Sequence, residues 1–312
     1  MDIPTIHPPA IRTGDTIGII APAGSLEERS AFEQGVARLE GLGFRVRFDD
    51  RIFQSLRYLA GDDAARANEL MRYFEDPGIK AILSLRGGFG CSRLIPLLEE
   101  KRLRPYCKLF MGFSDLTTLH LYFRRRFGWI TIHGPMAASQ SLPGPGSGEA
   151  SHFLSLLTDS RYLPSFSFPE LETWFPGVAE GKLAGGCLSL VVASLGTPYE
   201  IKTEGKVLFL EDLSEPPYRI DRMLTQLRLA GKLDSIAGIL LGRFTDCEPT
   251  QGNYTLRECL QDLVVDLNVP VLANFPAGHG PENWALPLGV KIRLNADSRL
   301  VEFLEPAVRE KQ

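Results

Sequence analysis

Cysteine is scarce in this chain of 312 residues. There are five, at positions 91, 107, 187, 247 and 259, scattered and never spaced C-x-x-C. An odd, unpatterned set excludes a disulfide framework and a thiolate zinc site, and reads as reduced thiols in a core. Histidine is as sparse, again five, with no H-E-x-x-H pair to hold a catalytic zinc. No metal and no cofactor is therefore expected. The chain has no G-x-x-x-x-G-K-[ST] phosphate loop. Gly88-Phe89-Gly90 is followed by Arg93 where a dinucleotide site needs its third glycine. Basic residues have no excess: 34 Lys and Arg against 38 Asp and Glu, net charge −4. With no basic face, nucleic acid is not an expected partner. No apolar run reaches membrane-spanning length, so no membrane partner is expected. Met1-Asp2-Ile3-Pro4 lacks the basic-then-apolar order of a secretory leader. The expectation is a cytoplasmic location.

What the chain has is an apolar fraction of 44% and a charged fraction of 23%, ample for buried cores and more typical of two domains than one. Its first half alternates strand and helix signals. Thr16–Ala21 is a continuous apolar strand that stops at Pro22-Ala23-Gly24-Ser25, where Ser25 is placed to cap the next helix. That helix carries Phe32, Val36 and Leu39 on one face and ends at Gly43. Phe44–Phe48 alternates as a strand. Asp62 or Asp63 opens a helix with Ala67, Leu70, Met71 and Phe74. Ile79–Leu85, Lys108–Gly112 and Trp129–His133 read as further strands, with a helix after Ser114. This alternation predicts an α/β fold with a parallel sheet. Residues 137–149 are rich in Gly, Pro and Ser, and 137–165 is expected to be a linker region. A domain over 1–140 precedes it and a second, over 166–312, follows. In the second, helices are expected over 186–195, 218–230 and 256–267. Strands are expected over 206–210, 236–241 and 269–273, with a closing hairpin over 290–304. No internal repeat is evident.

The run Phe110-Met111-Gly112-Phe113-Ser114-Asp115-Leu116 concentrates the chemistry. A buried strand stops at one serine and a helix begins directly after it. Such a turn lifts a nucleophilic hydroxyl out of the backbone and aims a helix N-terminus at whatever it attacks. Gly112 supplies the first glycine of G-x-S-x-G; Leu116 stands where the second would be. Arg86-Gly87-Gly88-Phe89-Gly90 follows another strand. Its glycines let backbone N–H groups approach a ligand, as half of an oxyanion hole completed by the N–H of Asp115. Glu211 and Asp212 end a strand at the ligand-facing edge of a sheet. Adjacent strand residues point to opposite faces, so only one of the two can orient a base. His279, between Gly278 and Gly280, has the loop setting of a general base. His133 is placed to line a site without being that base. The order Ser114, Glu211, His279 suits a serine hydrolase whose triad comes from successive strand ends.

These residues and their neighbours resemble the LD-carboxypeptidases, which include the microcin C self-immunity hydrolases. The resemblance runs over nearly the whole chain. It includes Gly14-Asp15-Thr16-Ile17-Gly18-Ile19-Ile20-Ala21-Pro22, Arg86-Gly87-Gly88-Phe89-Gly90 and Gly112-Phe113-Ser114-Asp115-Leu116-Thr117. It continues through His133-Gly134-Pro135, Gly185-Gly186, Gly196-Thr197-Pro198, Leu210-Glu211-Asp212 and Pro217-Tyr218-Arg219-Ile220-Asp221-Arg222. Gly278-His279-Gly280 and Leu286-Pro287-Leu288-Gly289 complete it. The resemblance implies Ser114 as nucleophile, His279 as base, Glu211 as its orienter, and the N–H groups of Gly88 and Asp115 as the oxyanion hole. It implies an N-terminal domain like those of class I glutamine amidotransferases, a C-terminal domain carrying the glutamate and histidine, a homodimer and no metal. The implied substrate is a murein tetrapeptide, cut before its terminal D-Ala, with a peptidyl or aminoacyl nucleotide as the alternative. Arg86 is the candidate cation for a terminal carboxylate, on position. Trp174 either packs ordinarily or, as in immunity-type relatives, stacks a nucleotide base. The chain departs from the family at Cys187, where Asn is usual, and at Ala285, where Thr is usual.

Overall fold

The computed structural model describes residues 3–310. In chain order the strands are β1 (Thr16–Ile20), β2 (Arg45–Arg47), β3 (Ile79–Ser84), β4 (Leu109–Gly112), β5 (Thr131–His133), β6 (Ser165–Phe166), β7 (Glu172–Phe175), β8 (Val178–Cys187), β9 (Lys206–Leu213), β10 (Gly238–Thr245), β11 (Val271–Ala273), β12 (Leu286–Leu288), β13 (Lys291–Asn295) and β14 (Leu300–Phe303). The helices are α1 (Arg29–Gly41), α2 (Asp63–Glu75), the single turns α3 (Cys91–Leu94) and α4 (Glu100–Leu103), α5 (Thr117–Phe127), α6 (Gly148–Thr158), α7 (Leu188–Ala193), α8 (Pro217–Leu229) and α9 (Leu256–Val264). They form two compact α/β units.

The first unit takes the described residues up to Tyr162, Asn283–Pro287 and those from Pro306 onward. Its sheet runs β12-β5-β4-β3-β1-β2, with β1 to β5 parallel. β1, β3 and β4 are buried almost throughout, which is why they read as apolar runs rather than alternating ones. On one side an aromatic cluster packs Trp129 against Phe127 at 4.7 Å and Phe74 at 5.2 Å. Asp62 caps α2 by accepting from the Ala65 N–H at 2.8 Å. Ser25 does not cap α1. That helix starts at Arg29 with Glu28 at its cap and no side-chain bond, while the Ser25 carbonyl accepts from Arg86 instead.

Two further local expectations fail. The region 137–165 contains α6, whose Ala150, Phe153, Leu156 and Leu157 enter the core of the first unit. Ser147 caps it, accepting from the Ala150 N–H at 3.1 Å. The Gly/Pro-rich run is a turn leading into a helix rather than a chain left in solvent. In addition, the helix expected from Gly186 starts at Leu188. Gly185, Gly186 and Cys187 instead extend β8 in parallel register with Phe209, Leu210 and Glu211.

The second unit takes Leu163–Glu282 and Leu288–Glu305. Its eight strands run β6-β14-β13-β8-β9-β10-β11-β7. The central β8, β9, β10 and β11 are parallel, and the flanking pairs are antiparallel. The closing hairpin is β13 paired with β14.

Candidate active site

In the first unit β4 delivers Ser114 through Phe113 into one 3-10 turn, Ser114–Leu116, that feeds α5. Ser114 has φ +63, in the left-handed region that a residue with a Cβ enters at a cost. Strained backbone at a strand-to-helix turn is what the elbow reading requires. The missing second glycine is explained locally. A Cβ on Gly112 would stand 2.8 Å from the Leu116 Cγ, so the buried Leu116 fills the space over that glycine. His120 fastens the turn from behind, its Nε2–H donating to the Gly112 carbonyl at 2.8 Å. Burial lowers the pKa of that imidazole to about 4, so it is neutral. His133 is paired with Gly112 across the sheet and is buried, so it stands beside the elbow.

The glycine turn after β3 lies directly against this serine. A Cβ on Gly87 would stand 2.8 Å from the Ser114 Cβ and 2.9 Å from its Oγ, so only glycine fits. Gly88 follows at φ +107. Backbone and side-chain bonds tie the turn to its surroundings. Gly24 N–H donates to the Gly87 carbonyl at 3.0 Å, and the Asp115 carboxylate accepts from the Cys91 N–H at 2.8 Å. Asp115 thus links the elbow to the glycine turn, and burial raises its carboxyl above the ordinary value. Arg86 is engaged where it stands, donating to the Ser25 carbonyl and to Glu27, both at 2.7 Å.

In the second unit Glu211 stands completely buried on β9. His279 Nδ1–H donates to its Oε2 at 2.6 Å. Burial of the imidazole opposes its charge. The Glu211 hydrogen bond and charge overcome this and hold His279 above its ordinary value. Burial likewise raises Glu211, against the pull of His279. Gly278, at φ +113, makes the approach possible, since a Cβ there would lie 2.5 Å from the Glu211 Oε2. The loop before His279 is held to β10 by the Arg243 N–H, which donates to the Ala277 carbonyl at 2.9 Å. With Nδ1 committed to Glu211, proton transfer by this imidazole falls to Nε2.

The neighbouring carboxylate serves the opposite face. Asp212 accepts from the N–H groups of Ser189 and Leu213, each at 2.8 Å, and so anchors the start of α7. Cys187 joins this cluster, its thiol 3.4 Å from Asp212 and 3.2 Å from the Ser189 hydroxyl. A thiol therefore stands where the resemblance leads one to expect an asparagine. Burial, and then the charges of Glu211 and Asp212, push it well above its ordinary pKa. Ala285 packs against Gly134 in the first unit.

Trp174, on β7, is half-buried. Its indole N–H donates to Glu172 at 3.1 Å, and Arg257 lies 5.8 Å from the ring centroid. Glu172 also takes Arg257 at 2.7 Å and the Asn274 amide at 3.0 Å. The ring lines a cavity of about 210 Å³ with Arg243, Phe244, Arg257 and Asn274. Of these polar partners, only Trp174 was singled out from the sequence. Arg66 was missed as well, although its spacing from Leu70 puts it on the apolar stripe of α2.

A strained serine beside a glycine turn, and a buried carboxylate–imidazole pair, are the parts of a serine hydrolase. Residues 17–134 match the LD-carboxypeptidase N-terminal domain, and residues 180–294 match the LD-carboxypeptidase C-terminal domain. The chain belongs to the LD-carboxypeptidase family and is a serine-type hydrolase of peptide bonds. It is 37% identical over 306 residues to the probable murein peptide carboxypeptidase of Bacillus subtilis (strain 168), covering 97% of this chain and 95% of that one. It is 33% identical over 282 residues to the murein tetrapeptide carboxypeptidase of Pseudomonas aeruginosa, covering 88% and 91%. Among solved structures, muramoyltetrapeptide carboxypeptidase from Oxalobacter formigenes matches with a TM-score of 0.81 at 28% identity, covering 95% and 100%. The microcin C7 self-immunity protein MccF, in complex with aspartyl sulfamoyl adenosine, shares the fold. Its TM-score is 0.89 at 23% identity, covering 97% and 99%.

Proposed function

We propose that this protein is a carboxypeptidase that cleaves the L,D peptide bond before the terminal D-Ala of a murein tetrapeptide. It would act in the cytoplasm as a homodimer. In this reading Ser114 Oγ attacks the scissile carbonyl while His279 Nε2 takes its proton. Glu211 holds the imidazole by Nδ1 and steadies the imidazolium. The N–H groups of Gly88 and Asp115 receive the developing oxyanion. His279 then returns the proton to the leaving D-Ala amine, and water, activated by the same imidazole, releases the tripeptide from the serine. The substrate's free carboxylate needs a cation, and Arg86 is our candidate. Glu27, 81% exposed, is the anion that such a carboxylate would displace.

The observation that carries this reading is the short Glu211–His279 pair, with Glu211 fully buried, in a chain 37% identical to a probable murein peptide carboxypeptidase. The test is release of D-Ala from L-Ala-γ-D-Glu-meso-diaminopimelyl-D-Ala by wild type beside Ser114→Ala. Release by wild type alone is expected; equal release by both sinks the assignment. The braced indole of Trp174 supports one second reading, a hydrolase of peptidyl or aminoacyl nucleotides with that ring under the base. Base–aromatic stacking is worth roughly 1–3 kcal/mol. Cleavage of such a conjugate but not of the tetrapeptide, weakened in Trp174→Ala, would favour it.

A further inference from the structure

Arg66 sits on the apolar stripe of α2 and is fully buried. A guanidinium removed from water needs its charge balanced and its donors met. Asp63, one turn back on the same helix, balances the charge and also takes Arg93 at 2.6–2.9 Å. The remaining bonds go to main chain. Nη1 donates to the Pro22 carbonyl and, at 3.1 Å, to the Gly90 carbonyl. Pro22 opens the loop after β1, and Gly90 closes the glycine turn after β3. One buried side chain therefore clips two loops together.

That turn has little rigidity of its own. Gly87, Gly88 and Gly90 fall within four residues, and two of them have positive φ, +107 and +141. The Gly88 N–H shares a planar peptide with the Gly87 carbonyl, which takes the Gly24 N–H at 3.0 Å, so its direction depends on how the Pro22–Gly24 loop stands against the turn. The fit at the clip is tight: a Cβ on Gly90 would stand 2.5 Å from the Arg66 Nη1. We propose that Arg66 is the positioning residue of the glycine turn, aiming the Gly88 N–H by holding the Pro22 and Gly90 carbonyls together. The inference rests on the oxyanion role given to Gly88 above. It requires arginine, because two separate carbonyls and a carboxylate call for a planar fork rather than a single ammonium.

A residue that only supports folding changes the thermal midpoint. A residue that aims an oxyanion donor changes the transition state more than the ground state. The test compares wild type, Arg66→Lys, Gly90→Ala and Glu69→Gln. Glu69 is buried on the same helix but accepts from the Ala21 N–H and pairs with Arg51, away from the glycine turn. Three quantities are read: kcat and KM for D-Ala release, the rate of Ser114 labelling by a fluorophosphonate, and the thermal midpoint. Arg66→Lys and Gly90→Ala are expected to lose about 10- to 100-fold in kcat with KM within about twofold. Their labelling rate should fall by a similar factor. Glu69→Gln should lower the midpoint without that kcat-selective loss.

The proposal is overturned if both folded variants keep kcat and labelling, if the loss falls on KM, or if Glu69→Gln shows the same pattern. Should Arg66→Lys not fold, Gly90→Ala decides, because it disturbs the clip while leaving the buried charge pair in place. Labelling also separates this inference from the substrate reading. A wild type that is labelled at Ser114 but releases no D-Ala refutes the substrate, and the labelling rates still decide Arg66. A wild type that is not labelled refutes both.

Discussion

Replacing Glu211 by Gln removes one charge and almost no volume. In the wild type two opposed effects act on His279. Burial, with its side chain only 12% exposed, disfavours the imidazolium, and the carboxylate 2.6 Å away favours it and prevails. The base form exists only above this raised pKa. kcat/KM should therefore fall, as pH is lowered, through a midpoint above the ordinary 6.5. In Glu211→Gln the hydrogen bond and charge of Glu211 are gone, burial is opposed only by the smaller effect of the Asp212 charge, and the acid limb should move to lower pH. The cost in rate comes from the imidazolium that forms in the transition state. An opposite charge at close range is worth about 4 kcal/mol at an effective dielectric constant of ~20. A carboxamide can also present its NH₂ to Nδ1 and impose the wrong tautomer, which in a comparable triad costs about 10⁴ in kcat. The expected loss is thus about 10²–10⁴, or about 3–5 kcal/mol. The assay is D-Ala release from pH 5 to 9 for both proteins. An unchanged kcat/KM, or an acid limb that does not move to lower pH in the variant, would refute the reasoning.

Two further outcomes concern stability. Ser114→Gly should abolish turnover yet raise the unfolding free energy by ~1 kcal/mol, because glycine tolerates the +63 φ that serine strains to hold. Denaturant melts check this, and a less stable variant would show that the elbow stores no strain. Asp212→Ala should lower stability by about 2–3 kcal/mol, since the Ser189 and Leu213 N–H groups lose their acceptor. A midpoint within error of wild type would mean that Asp212 does not anchor α7.

Much of this was legible in the sequence because the first unit follows simple rules. β1, β3 and β4 are buried, so their apolar runs announce them, and the helix expected to open at Asp62 or Asp63 starts at Asp63 with Asp62 as its cap. The statement that only one of Glu211 and Asp212 faces the histidine also came from strand geometry, and the two carboxylates do serve opposite faces. What stayed hidden has particular causes. β8 carries Gly181, Gly185 and Gly186, which weaken its strand signal. Gly181 and Gly185 are there because β9 lies so close: a Cβ on Gly181 would stand 3.1 Å from the Lys206 Cα, and one on Gly185 would run into the Phe209 carbonyl. α6 follows a Gly/Pro-rich run whose composition says loop, and only its packing against the first core decides otherwise. Arg66 breaks the rule that charges lie outside. Nothing local announces that two distant carbonyls await it.

The first unit is not contiguous in the chain. Asn283–Pro287 and the segment from Pro306 onward belong to it, although most of the second unit comes between. During synthesis, the unit that holds Ser114 must wait for strands made long after the serine itself. Asn283 emerges after the whole of β6–β11, and Arg309, which bridges to Pro9, later still. The sheet edge at β12 therefore closes late on the ribosome. A unit ordered in this way has Ser114 early but gains its last strand only after most of the second unit has been made. For the same reason, no single cut in the chain would release that unit whole.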